Sequence, residues 1–195
     1  MTMYILAGSE DMRHPEYAEA IARLVSMKVA QPKILSCLFS KPAEVADTRF
    51  PKLREFFLSF LPEGSEFMRA EPDTFVEQVR AADVVYFHGG HTSLLLTAMQ
   101  QYPDIEKEFT GKIIIGSSAG ANYLSSCGLS PRAGKVGLSG GILDVAVVVH
   151  YGSSGFAGMT FQPEFWDEAV ETVRAAWGKG EVILLPEGMF TVIER

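Results

Sequence analysis

Lys112-Ile113-Ile114-Ile115-Gly116-Ser117-Ser118-Ala119-Gly120-Ala121-Asn122 carries an unbroken apolar run through a glycine-flanked turn into a stretch of small residues. Three consecutive isoleucines at strand length argue for a strand covered on both faces, as in a parallel sheet sandwiched by helices. Gly116-Ser117-Ser118-Ala119-Gly120 then fits G-x-S-x-G in a strand, turn and helix setting. That setting would present a serine hydroxyl on a tight, strained turn at the carboxyl edge of the sheet. Spacing to both glycines favours Ser118 over Ser117. The plainer alternative is a glycine-rich turn that only packs closely or holds a phosphate.

Outward from this stretch, short apolar runs alternate with amphipathic ones. Strands are expected at Met3-Ala7, Lys33-Phe39, Glu66-Arg69, Asp83-His88, Lys112-Gly116, Glu181-Leu185 and Thr191-Ile193. Helices are expected near Pro15-Lys28, Leu53-Leu61, Phe75-Ala81, Ser93-Gln100, Ala119-Ser126 and Glu164-Trp177. This βαβα rhythm predicts an α/β fold, a doubly wound and mostly parallel sheet sandwiched by helices. Residues 128 to 141, rich in Gly and Ser, read as loops and short strands. With 195 residues, 47% of them hydrophobic, the chain is expected to form one domain over 1–195 without a metal or disulfide staple.

Charge and composition exclude several functions. Asp plus Glu number 24 against 17 Lys plus Arg, a formal charge of −7 with scattered basic residues, which makes nucleic acid a poor partner. No apolar run approaches the roughly 20 residues that span a bilayer. The opening Met1-Thr2-Met3-Tyr4 lacks a basic n-region, so no signal peptide is expected. Two cysteines, Cys37 and Cys127, imply no disulfide framework, and a cytoplasmic location is expected.

Ligands of such sheets bind just outside the strands' carboxyl ends. There the chain places Gly8-Ser9-Glu10-Asp11, His88-Gly89-Gly90-His91-Thr92, the Ser118 turn, His150-Tyr151 and Pro186-Glu187-Gly188. A serine needs a base within hydrogen-bond reach. Of the four histidines, His14 reads as surface and His88 and His91 flank a glycine pair, whereas His150 ends the run Val145-Val149 downstream of the serine. His150 is the expected base, the alternative being a strand-end histidine in a polar rim.

Together Phe87-His88-Gly89-Gly90-His91-Thr92, Gly116 to Asn122, Val149-His150-Tyr151 and Leu185-Pro186-Glu187-Gly188 resemble the S51 peptidases, the family of peptidase E and cyanophycinase. The resemblance runs over nearly the whole chain and is most specific at the serine turn. It implies a glutamine amidotransferase-like (flavodoxin-like) three-layer sandwich. It also implies Ser118 as nucleophile, His150 as base, and the Gly90 and Ala119 N–H groups as the oxyanion hole. Amidotransferases carry cysteine where this chain has Ser118. Gly89, His91, Thr92, Asn122 and Tyr151 are expected to contact substrate.

The resemblance further implies a carboxylate orienting the histidine from the segment after the turn's helix. Between Ala121 and Val149 the only acid is Asp144. A strand running from it to His150 would hold it roughly 20 Å away at about 3.3 Å per residue. The third member would then come from elsewhere or be absent, leaving a serine and histidine dyad; Glu187 is the first candidate, its alternative a carboxylate that only fixes its loop, with Glu10, Glu164 and Asp167 behind it. An arginine after the histidine, implied for reading an aspartyl side chain, has no counterpart, since residues 152–169 hold neither Arg nor Lys. Phe156, Met159, Phe161, Phe165 and Trp166 stand there instead and could line an apolar pocket, or simply pack. The expected activity is cleavage of small peptides through an acyl-enzyme, without cofactor or metal. A non-catalytic ligand-binding relative and an esterase with the same turn are the alternatives. Exposed strand edges would allow a homodimer.

Overall fold

The structure, a computed structural model, describes all residues except 10, 11, 13, 14, 131–134, 138 and 157, and all their side chains except those of Lys135 and Phe156. Glu10, Asp11 and His14 thus lie outside the described residues. In chain order the strands are β1 (Met3–Ala7), β2 (Lys33–Cys37), β3 (Glu66–Arg69), β4 (Val84–Phe87), β5 (Ile113–Ser117), β6 (Ser125–Ser130) and β7 (Lys135–Val136). They continue with β8 (Leu143–Val149), β9 (Gly155–Phe156), β10 (Met159–Thr160), β11 (Val182–Leu185) and β12 (Phe190–Glu194). The helices are α1 (Pro15–Lys28), α2 (Ala43–Leu58), α3 (Phe75–Ala81), α4 (Thr92–Met99), α5 (Ala119–Leu124) and α6 (Pro163–Trp177).

A six-stranded sheet runs in the order β12-β1-β5-β4-β2-β3, all parallel except β12, which pairs antiparallel with β1. Its central strands β1, β5 and β4 are buried on both faces, with alternate residues serving two separate cores, while the edge strands β12 and β3 are partly exposed. Tyr4, Leu6, Val85, Phe87 and Ile114 face one core. Met3, Ile5, Ala7, Val84, Tyr86, Ile113 and Ile115 face the other, against Tyr17, Ile21 and Val25 of α1 and Leu53 and Phe57 of α2. The uninterrupted apolar runs are the signature of this double burial.

A second sheet, β11-β8-β6-β7, is the part least visible in local sequence. Helix α5 ends at Leu124, two residues short of the expected Ser126, because Ser125, Cys127 and Gly128 pair with β8 across a bulge. That pairing is long-range and leaves no local period. Helix α6 covers this sheet with Trp166, Ala169, Val170 and Val173, an i, i+3, i+4, i+7 stripe. Pro163 starts it and Gly178, at φ 67°, stops it in the left-handed conformation that glycine adopts freely. Helix α2 begins ten residues before the expected Leu53 and carries Pro51 inside, a residue that reads locally as a boundary.

Candidate active site

The buried strand β5 delivers Ser118 at φ 50° and ψ −105°, a sparsely populated conformation for a residue with a side chain. The two glycines around it are steric requirements. A Cβ on Gly116 would lie 2.6 Å from the Gly120 carbonyl oxygen, and one on Gly120 only 2.1 Å from that of Phe87. Gly120→Ala is accordingly expected to cost about 1–3 kcal/mol. At about 2–4 °C per kcal/mol for a chain of this size, thermal denaturation reads that directly, and an unchanged Tm would contradict the close approach.

Ser118 Oγ lies 2.8 Å from His150 Nε2, and His150 Nδ1 lies 3.2 Å from Glu187 Oε1. An ionised carboxylate only accepts, so the imidazole donates its Nδ1–H to Glu187 and accepts the Ser118 hydroxyl proton at Nε2. His150 follows the last residue of β8 and is 8% exposed, with φ 59°, a second strained position. The Ser153 hydroxyl lies 3.3 Å from the same Glu187 oxygen and 3.2 Å from the Gly155 carbonyl oxygen, and the Ser153 carbonyl accepts the Trp166 indole N–H at 3.0 Å. The Glu187 loop is tied to the first sheet, because the Gly8 N–H donates to the Met189 carbonyl at 3.0 Å.

The other candidates separate clearly. Ser117 is fully buried, and its Oγ has no partner among the described residues. Asp144 is exposed and pairs with Lys179 at 2.7 Å, away from His150. Glu164 and Asp167 are exposed on α6. His88 is fully buried, bonded to Ser36 Oγ at 2.8 Å and stacked on Tyr86. Burial pushes the Cys37 thiol up to about 12 and raises that of Cys127, which makes both poor nucleophiles at neutral pH.

Gly89 faces Ser118: a Cβ on it would lie 3.2 Å from Ser118 Cβ. Gly90 is exposed beside it and His91 is half-buried. Ala119, first in α5, has an N–H with no partner inside the helix. Thr92 and Asn122 depart from expectation. They are 5% and 1% exposed, and Asn122 Nδ2 donates to Thr92 Oγ1 at 3.4 Å and to the Leu129 carbonyl at 3.1 Å. They lie beneath the site and do not line it, because both side chains are buried, and Asn122 Oδ1 has no hydrogen-bond partner among the described residues.

Tyr151, the residue after His150, lines a cavity of about 500 Å³ together with Phe161, Trp166 and the polar side chains of Ser153, Ser154, Thr160, Gln162 and Asp167. Of the aromatic and Met residues expected there, Phe161 and Trp166 line it, Met159 and Phe165 do not, and the Phe156 side chain lies outside the described residues. Sequence reasoning missed Ser153, and also the pair Ser40-Lys41, whose side chains bond the His88 and Gly89 carbonyls behind Ser118. The polar run Gly152-Ser153-Ser154-Gly155, one residue beyond His150, was the available signal for the first. Ser40 and Lys41 follow β2 at the same carboxyl edge as the residues that were singled out.

Among the described residues no group of His, Cys, Asp or Glu is arranged to hold a metal, and no helix is long and apolar enough to cross a membrane.

A parallel-dominated α/β sandwich with a hydrogen-bonded serine, histidine and glutamate row beyond the carboxyl ends of β5, β8 and β11 has the layout of a hydrolase. A family model, Peptidase family S51, matches residues 52–195, and the chain belongs to that family, which places it among the peptidases. No curated protein matches it. Among solved structures, it is similar to a peptidase from an acI-B1 Actinobacterium, with TM-score 0.66 and 20% identity over 99% of this chain and 83% of that one. It is also similar to a candidate peptidase E from Listeria monocytogenes EGD-e, with TM-score 0.64 and 15% identity over 100% and 99% of the two chains. At these identities the likeness is one of fold.

Proposed function

We propose that the protein is a serine peptidase that cleaves small peptides through an acyl-enzyme on Ser118. The observation that carries this reading is the continuous row from Ser118 Oγ through His150 to Glu187. As Ser118 Oγ bonds to the scissile carbonyl carbon, its proton passes to His150 Nε2. Glu187 holds the resulting imidazolium in place. The carbonyl oxygen, now negative, is held by the N–H groups of Gly90 and Ala119. The C–N bond then breaks, the amine leaves with the proton from His150, and water releases the acyl group by the same steps in reverse order.

A fluorophosphonate probe tests the nucleophile. The Ser118 oxygen bonds to phosphorus, fluoride leaves, and the serine proton goes to His150. The native protein is expected to label and Ser118→Ala to stay unlabelled; a folded native protein that does not label refutes the reading. The Glu187 carboxylate 3.2 Å from His150 supports the catalytic reading over a non-catalytic ligand-binding relative. Turnover of peptide amides as well as activated esters would separate the peptidase from an esterase.

The cavity that follows His150 supports an apolar or aromatic side chain as its occupant in preference to an acidic one. Tyr151, Phe161 and Trp166 give it aromatic surface, Asp167 gives it a like charge that would repel an acidic side chain, and residues 152–169 offer no cation to a carboxylate. An unpaired carboxylate there would lose its hydration without compensation. Peptides with phenylalanine or leucine at the cleavage site are therefore expected to show kcat/KM at least about tenfold above their aspartyl counterparts, a margin of about 1.4 kcal/mol. A preference for aspartyl peptides in a competition assay would rule this occupant out.

A further inference from the structure

The glycine pair that faces Ser118 is held from behind by the loop after β2. Ser40 is fully buried, and its hydroxyl lies 2.9 Å from both the His88 and the Gly89 carbonyl oxygens. The Lys41 ammonium donates to the Gly89 carbonyl as well. The His91 N–H returns a bond to the Ser40 carbonyl at 2.7 Å. A hydroxyl has one proton and cannot serve two carbonyls at once. Lys41 supplies the missing donor at Gly89, which leaves the Ser40 proton for His88.

The Gly89 carbonyl and the Gly90 N–H belong to one planar trans peptide and point in opposite directions. Glycine on both sides makes that peptide easy to turn over, so its orientation depends on what grips it. Alanine cannot replace Gly90, where a Cβ would lie 2.4 Å from the Ser40 carbonyl oxygen. On the reading of Ser118 as nucleophile and Gly90 as oxyanion donor, we propose that Lys41 is a positioning residue. It holds the Gly89 carbonyl and so keeps the Gly90 N–H turned toward the oxyanion beside Ser118. A positive charge on the carbonyl also polarises the peptide, and this strengthens the N–H as a donor. Lys41 itself touches no reacting atom.

The test is the rate of fluorophosphonate labelling in the full chain, with saturation separating kinact from KI, because the phosphoryl oxygen takes the place of the oxyanion. Lys41→Met is expected to lower kinact about ten- to a hundred-fold with KI and Tm unchanged, less than the roughly 10²–10³ lost when an oxyanion donor is deleted outright. Lys41→Arg, which restores a charged donor, is expected to recover most of the rate. A merely structural role would move Tm and leave kinact per folded molecule alone. Should Lys41→Met fail to fold, Lys41→Gln carries the test, with a kinact at least several-fold below that of the native protein. Native kinact in whichever variant folds overturns the inference and leaves Ser118 standing. No labelling of the folded native protein defeats the underlying reading and this inference with it.

Discussion

Ser118→Gly is expected to lower kcat by about 10⁶-fold, on the scale of removing a catalytic serine, and yet to yield a more stable protein than Ser118→Ala. Both variants lose the hydroxyl and its 2.8 Å bond to His150. Only glycine also loses the Cβ that makes φ 50° and ψ −105° unfavourable. Backbone strain of this kind costs about 1–3 kcal/mol, and the extra entropy of glycine in the unfolded chain returns about 0.5–1 kcal/mol of that. A net advantage of about 1 kcal/mol corresponds to about 2–4 °C in Tm. Peptidase assay together with thermal denaturation of the two variants reads both effects. Equal Tm values would mean that the turn stores no strain, and activity in either variant would move the nucleophile elsewhere.

Glu187→Gln is expected to lower kcat by about 10⁴-fold while KM changes little. The amide is close in shape to the carboxylate, so the packing against Ser153 survives. Its N–H2 group can instead donate to His150 Nδ1, which favours the tautomer whose Nε2 carries the proton and cannot accept from Ser118. The charge that stabilises the imidazolium is lost as well. Steady-state kinetics on a peptide amide decides the matter: native kcat in Glu187→Gln would remove the carboxylate from the chemistry and reduce the site to a serine and histidine pair.

The difference between what could be read from sequence and what could not follows from range. The Ile113-Ile114-Ile115 run and the Ser118 turn are local, and both were legible because burial on two faces and a tight turn each restrict residue type over a few positions. His150 was legible as the end of an apolar strand, but its φ of 59° was not, since no glycine or asparagine marks it. Glu187 was only one carboxylate among several. Its 3.2 Å approach to Nδ1 depends on β11 pairing with β8 and on the chain then crossing to β12, and neither leaves a periodic trace. Strand β6 was hidden for the same reason, its parallel partner β8 lying beyond β7 in the chain. Asn122, expected at the substrate, is 1% exposed beneath the turn, a burial that its position in the sequence does not signal.

The three members of the row come from three different places in the architecture. Ser118 follows β5 of the six-stranded sheet, His150 follows β8 of the four-stranded one, and Glu187 lies on the crossing between them from β11 to β12. The proposed reaction therefore depends on a seam that no single sheet contains. A slip of either layer by even one ångström would uncouple proton transfer while leaving every strand and helix intact. The hydroxyl of Ser118 thus serves as a gauge of alignment between the two sheets, and its reactivity should vanish with their docking well before the backbone unravels.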